Sequence, residues 1–130
     1  ATISCHLYQQ IEGFDWVGFY RVVDKEILKI GPYQGGHGCL VIPFDKGVCG
    51  AAARLEQIQI VDDVDQFEGH IACSSSTRSE LVVPIFDSSA QLFAVLDIDS
   101  DQHAFFNKQY AEKLDSLLRD LFTDRVEDAI

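Results

Sequence analysis

Methionine is absent from the chain, tryptophan occurs once and proline three times in 130 residues, and no apolar run approaches the roughly 20 residues needed to span a bilayer. The missing run argues against a membrane helix. Basic residues are also scarce: ten Lys and Arg face 21 Asp and Glu, for a formal charge of −11. Nucleic-acid binders draw most of their affinity from cations that neutralise phosphates. No basic stripe is present, which argues against DNA or RNA as a partner and equally against an anionic membrane surface. The first residues lack the charged-then-apolar order of a secretory signal, so the cytoplasm is the expected compartment. With the initiator among the missing methionines, Ala1 reads as a processed or trimmed start.

What is present is ample for a core. Hydrophobic residues make up 47% of the chain and aromatics 11%, and a chain of this size buries roughly two-thirds of its extended surface. A single domain over residues 1–130 is expected, needing neither disulfide staples nor a structural metal. Four cysteines, Cys5, Cys39, Cys49 and Cys73, lie 34, 10 and 24 residues apart. These gaps contain no C-x2-C pair, and no H-x3-5-H partner accompanies them, so no zinc finger is read here. A scattered metal site is left open but not expected.

Hydrophobic periodicity predicts the elements. Ile3 to Ile11 reads as a helix with Ile3, Leu7, Tyr8 and Ile11 on one face. Asp15 to Val23 is aromatic and β-branched, and a tight turn leads to a second strand, Ile27 to Ile30. Gly31 to Gly38 holds four of the nine glycines and reads as a loop. Leu40 to Ile42 is a short strand, Gly47 to Glu56 a short helix, Ile58 to Val61 a strand, and Asp62 to Ser79 a long polar connection of the kind that commonly carries function. Glu80 to Phe86 and Gln91 to Ile98 read as a hairpin, and Asn107 to Phe122 as a closing helix burying Tyr110, Leu114, Leu117, Leu118 and Leu121. Strand pairs on short turns, with helices at the start, middle and end, describe an α+β fold with a central, mostly antiparallel sheet flanked by helices.

Three constellations carry chemistry. Trp16, Gly18, Tyr20 and Val22 share one strand face, and Gly18 outlines a slot between two aromatic walls roughly 13 Å apart; a core face with Gly18 making room for a helix is the plainer alternative. Asp97 and Asp99 alternate at a strand end, so both carboxylates point the same way, and like charges so placed raise at least one pKa. Glu80, opening the apolar run Leu81 to Ile85, is either a buried acid or a surface one. Cys73 lies on a polar loop with His70 and Arg78 close in sequence, a setting that favours thiolate. Cys49, in the first turn of a short helix, has the helix dipole in its favour. Cys39 closes the glycine-rich loop, while Cys5 most simply packs on the first helix.

Gly31-Pro32-Tyr33-Gln34-Gly35, Cys39 with Gly47-Val48-Cys49-Gly50, Val61-Asp62-Asp63-Val64, Gly69-His70-Ile71-Ala72-Cys73, Ser79-Glu80-Leu81-Val82-Val83-Pro84, Val95-Leu96-Asp97-Ile98-Asp99-Ser100 and Trp16-Val17-Gly18-Phe19-Tyr20 stand in one order over nearly the whole chain. Together they resemble the free methionine-(R)-sulfoxide reductases, which have a GAF-type fold. The resemblance implies that Cys73 is the catalytic cysteine, Cys39 the resolving one, and Cys49 an additional or alternative resolving thiol. It further implies that Trp16 and Tyr20 surround the substrate's methyl group, and that Glu80, Asp97 and Asp99 bind the sulfoxide oxygen and the amino group. No tightly bound cofactor is implied; reducing equivalents come from NADPH through thioredoxin reductase and thioredoxin, and a homodimer is compatible with the family. Ser74 departs from the family, which has an acidic residue after the catalytic cysteine. Two other readings keep the fold and drop the chemistry: a non-catalytic GAF sensor of a small molecule, which needs no thiol pair, and a thiol redox switch, which needs neither Trp16 nor the acids.

Overall fold

Along the strand Trp16–Asp24 (β1), Val17 and Phe19 point to one side and Trp16 and Tyr20 to the other, and all four are buried. A strand buried on both faces must lie inside a sheet covered twice, and β1 does. In the computed structural model, which describes residues 1–122, it is preceded by Thr2–Gln10 (α1) and followed by Ile27–Gln34 (β2), Val41–Pro43 (β3), Gly47–Leu55 (α2), Gln59–Val61 (β4), a 3-10 turn at Val64–Gln66, Ser79–Phe86 (β5), Leu92–Ser100 (β6) and Lys108–Phe122 (α3). The six strands form one sheet in the order β3-β2-β1-β6-β5-β4, with every neighbouring pair antiparallel. This is the α+β architecture expected from the strand-turn-strand pattern.

Helices α1 and α3 cover one face, where Leu7, Val17, Phe19, Leu96, Leu114 and Leu118 belong to one core. Helix α2 covers the other, where Val48, Cys49, Ala52 and Ala53 meet Trp16, Tyr20, Val82 and Val95. Gly50 lets α2 sit close against the end of β3, where an added Cβ would lie 2.7 Å from the Phe44 carbonyl oxygen and 2.8 Å from that of Pro43. Each fully buried Val or Leu in these layers contributes about 1.5–3 kcal/mol of hydrophobic stabilisation.

Two sequence readings are corrected. The stretch Gly31 to Gln34 is strand rather than loop, with Tyr33 opposite Gly18 and Gln34 opposite Val17. Glycine and proline are tolerated there because β3 pairs only with Ile27 to Lys29, so Pro32 interrupts no outer ladder, and a bulge between Gly18 and Tyr20 absorbs the irregularity. On α3 the buried column is Ala111, Leu114, Leu118 and Phe122. Leu117 and Leu121 are exposed, because at 100° per residue they fall on the helix flank beside that column; Tyr110 is half-buried. The long connection contains the 3-10 turn, and Asp63 caps it by accepting from Asp65 N at 3.0 Å.

Candidate active site

Residues directly opposite one another in antiparallel strands point to the same face, and the register of the three central strands therefore assembles a row. Asp99 on β6 lies opposite Trp16 on β1 and Glu80 on β5; one step inward, Asp97 lies opposite Gly18 and Val82. Glu80, Asp97, Asp99, Trp16 and Tyr20 thus line one cavity on the α2 side, together with Cys49, His70, Cys73 and Thr77. Its volume is about 40 Å³, room for no more than a few waters.

Glu80 and Asp97 are buried among the core residues. Burial first, then the neighbouring carboxyls, pushes Glu80 and Asp99 well above the ordinary carboxylate range; burial also raises Asp97, partly offset by hydrogen bonding to Glu80 and Cys49. Asp97 Oδ1 and Asp99 Oδ1 receive no hydrogen bond from backbone or basic side chain, so the protons retained on neighbouring carboxyls and on Cys49 are the partners on offer. Among the described residues, no Lys or Arg lines the cavity. His70 Nε2 stands 3.7 Å from Glu80 Oε1, with its own pKa lowered chiefly by burial. Burial thus shifts both groups of this contact toward their neutral forms.

A disulfide joins Cys39 to Cys73 with their Cα atoms 5.4 Å apart. Two aromatic side chains hold the Cys39 loop against the sheet: Trp16 Nε1 donates to the Gly36 carbonyl and Tyr20 Oη to the Cys39 carbonyl, both at 2.9 Å. Gly38 is needed for this contact, since a Cβ there would lie 2.7 Å from Trp16 Cζ2. Cys73 is exposed and Cys39 half-buried. Cys5 and Cys49 are free.

The structure thus brings together all eight residues singled out from the sequence, but alters two readings. No open slot separates Trp16 from Tyr20: their rings stack with centroids 6.0 Å apart, and Trp16 also stacks on Tyr33 at 5.3 Å. Gly18 makes room for the indole itself, because a Cβ there would fall on the Trp16 ring and 2.6 Å from Tyr33 Cβ. The result is one continuous aromatic wall. Cys49 does begin α2, yet its thiol is pushed up, by burial first and then by Asp97 and Glu80. The helix dipole is outweighed where solvent is absent and the nearest groups are acids.

His70 and Thr77 were not singled out as site residues. His70 stands three residues before Cys73 in a polar loop, and that proximity is the signal that could have found it; nothing local marks Thr77.

The GAF domain family model matches residues 1–121. Proteins named free methionine-R-sulfoxide reductase from Saccharomyces cerevisiae and Escherichia coli are 40% and 39% identical over 124 and 121 residues, covering 91% and 93% of this chain and 69% and 72% of theirs. Among solved structures, the free methionine-R-sulfoxide reductase from Neisseria meningitidis in complex with its substrate matches with a TM-score of 0.87 and 42% identity, over 93% of this chain and 72% of that one.

Proposed function

The chain belongs to the GAF family and, within it, to the free methionine-R-sulfoxide reductases, and on that premise we propose that it reduces free methionine-(R)-sulfoxide to methionine with Cys73 as nucleophile and Cys39 as resolving thiol. The observation that carries this reading is the Cys39–Cys73 disulfide lying against a cavity lined by three acids, Glu80, Asp97 and Asp99, whose carboxyls burial pushes upward.

The chemistry follows from what a sulfoxide needs. Its sulfur is a poor electrophile until the oxygen takes a proton, so the thiolate of Cys73 must act beside an acid that is still protonated near neutral pH. Glu80 and Asp99 are raised in that direction. Attack at sulfur, with one proton delivered to oxygen, releases methionine and leaves Cys73 as a sulfenic acid. The Cys39 thiol then condenses with it, losing water and forming the disulfide. A dithiol reductant, with thioredoxin as the one the family implies, returns both cysteines to thiols by exchange. Trp16 and Tyr20 supply an apolar, polarizable wall for the methyl and thioether end, and Asp97 with an ionised neighbour holds the ammonium group. The Cys39–Cys73 disulfide is the oxidised product of this sequence, so the bridged state corresponds to the end of a turnover.

The test is NADPH oxidation coupled through thioredoxin and its reductase, with separate R and S epimers of free methionine sulfoxide and a peptide-bound sulfoxide. Turnover of the free R epimer alone is expected. No turnover by fully reduced protein overturns the reading in favour of a ligand-sensing domain, and turnover that survives Cys73→Ser overturns the nucleophile.

A further inference from the structure

Three potential metal ligands meet in the cavity from three different elements. Cys49 Sγ from α2, a Glu80 oxygen from β5 and an Asp97 oxygen from β6 all lie within 4.8 Å of one another, and all three residues are buried. Asp97 is 5% exposed, and its Oδ1, like that of Asp99, has no hydrogen-bond partner. Once Glu80 and Cys49 give up their protons this oxygen has no donor left, which is costly for a buried group, and among the described residues no lysine or arginine lines the space it faces.

We propose that this cavity binds one thiophilic divalent cation, of the Zn²⁺ type, through Cys49 Sγ, Glu80 and Asp97. The donor set decides the class of ion. One sulfur and two carboxylate oxygens suit zinc or cadmium, whereas magnesium and calcium require oxygen ligands and usually more of them. Zinc bonds of roughly 2.3 Å to sulfur and 2.0–2.2 Å to oxygen demand that the side chains close on the ion by on the order of 1 Å, within reach of small χ adjustments. Three protein ligands leave a fourth tetrahedral position for water, and a cavity of about 40 Å³ admits an ion with its water.

Binding must displace the protons these groups hold, so it strengthens as pH rises. The titratable groups lining the cavity are Tyr20 from β1, His37 from the loop after β2, Cys49 from α2, Glu80 from β5, Asp97 and Asp99 from β6, and His70 from the loop after β4. None is a fixed cation, so nothing in the cavity wall repels a divalent ion once the acids ionise. On the reductase reading the bound ion occupies the acids that hold the substrate's ammonium and oxygen, and therefore competes with free methionine-(R)-sulfoxide. Its binding can be measured without turnover and stands or falls independently of the reductase reading.

The experiment titrates the 130-residue chain with Cd²⁺ and reads the ultraviolet sulfur-to-metal charge-transfer band, with Zn²⁺ calorimetry alongside. Cys5→Ser in the oxidised, bridged protein leaves Cys49 as the sole thiol. A parallel chain carrying Cys5→Ser, Cys39→Ser and Cys73→Ser keeps the cavity open to entry. One ion per chain with a thiolate band is expected, the band vanishing in Cys49→Ser, and affinity weakening at least about tenfold in Asp97→Asn, each variant checked for retained secondary structure by circular dichroism. Absence of the band in both chains overturns the proposal. So does Zn²⁺ binding that is indifferent to both Cys49→Ser and Asp97→Asn, which places the ion on surface carboxylates.

Discussion

Tyr20 Oη donates to the backbone carbonyl of Cys39 at 2.9 Å, so a buried strand residue holds the half of the disulfide that sits on a glycine-rich loop. The Tyr20 ring meanwhile continues the Trp16 wall. One side chain therefore connects the proposed substrate wall to the proposed resolving thiol, by its face and by its hydroxyl separately.

Tyr20→Phe separates the two. The ring and its stacking remain, and the Cys39 carbonyl loses its donor. A net hydrogen bond contributes about 1 kcal/mol, so the equilibrium constant for closing the Cys39–Cys73 bridge, measured against a glutathione redox buffer, is expected to fall roughly fivefold, with little change in KM for the sulfoxide. A constant unchanged by the substitution means that the bond is equally strong in the reduced and bridged states, and that Tyr20 does not position Cys39.

The cysteines predict a sharper division. Cys49 is 2% exposed, and its thiol is held in the protonated form, whereas Cys39 already reaches Cys73. Cys39→Ser is expected to release one equivalent of methionine per chain and then stall, with Cys73 trapped as sulfenic acid and detectable by mass. Cys49→Ser is expected to keep turning over under the same reductant, slowed roughly fivefold by about 1 kcal/mol for the altered contact with Asp97. The opposite pattern, continued turnover in Cys39→Ser and stalling in Cys49→Ser, would reassign the resolving thiol to a residue that must first leave the core.

Much of the site was legible because the sheet imposes a period of two. Asp97 and Asp99 alternate, so a strand had to put both on one face, and the apolar run behind Glu80 made a buried acid one of its two readings. What escaped was whatever depended on a third dimension. The indole of Trp16 folds back over Gly18, and its partner Tyr33 arrives from β2 only because Gly31 to Gln34 continues the strand. Local composition at those four residues favours a loop; pairing with Val17 and Gly18 overrides it. The state of Cys49 was misread for a related reason. The helix dipole is a property of α2 alone, while the carboxyls that outweigh it come from β5 and β6, far along the chain. His70 enters the cavity through the long polar connection, whose path no periodicity describes.

The carboxyl cluster fixes the sign of a pH dependence. Glu80, Asp97 and Asp99 titrate higher in the folded protein than in the unfolded chain, so over an intermediate range the native state binds protons that the unfolded state has released. Their contribution is fully present below the unfolded values, near 4, and is lost as pH rises through the folded ones. Stability of the ligand-free protein should therefore decline from about pH 5 upward, at up to roughly 1.4 kcal/mol per pH unit for each extra proton bound. The raised Cys49 thiol extends the decline above the usual thiol range. Self-repulsion from a net charge of −11 acts in the same direction, so the slope alone does not identify its source. Glu80→Gln does: it removes one titrating group and relieves the like-charge pressure on Asp97 and Asp99, while changing the net charge by at most one. Urea midpoints from pH 5 to 9 should show a shallower slope for the variant than for the parent. Parallel curves would mean that the acids release their protons as readily in the fold as in the unfolded chain, which would remove the proton donor from the proposed reaction.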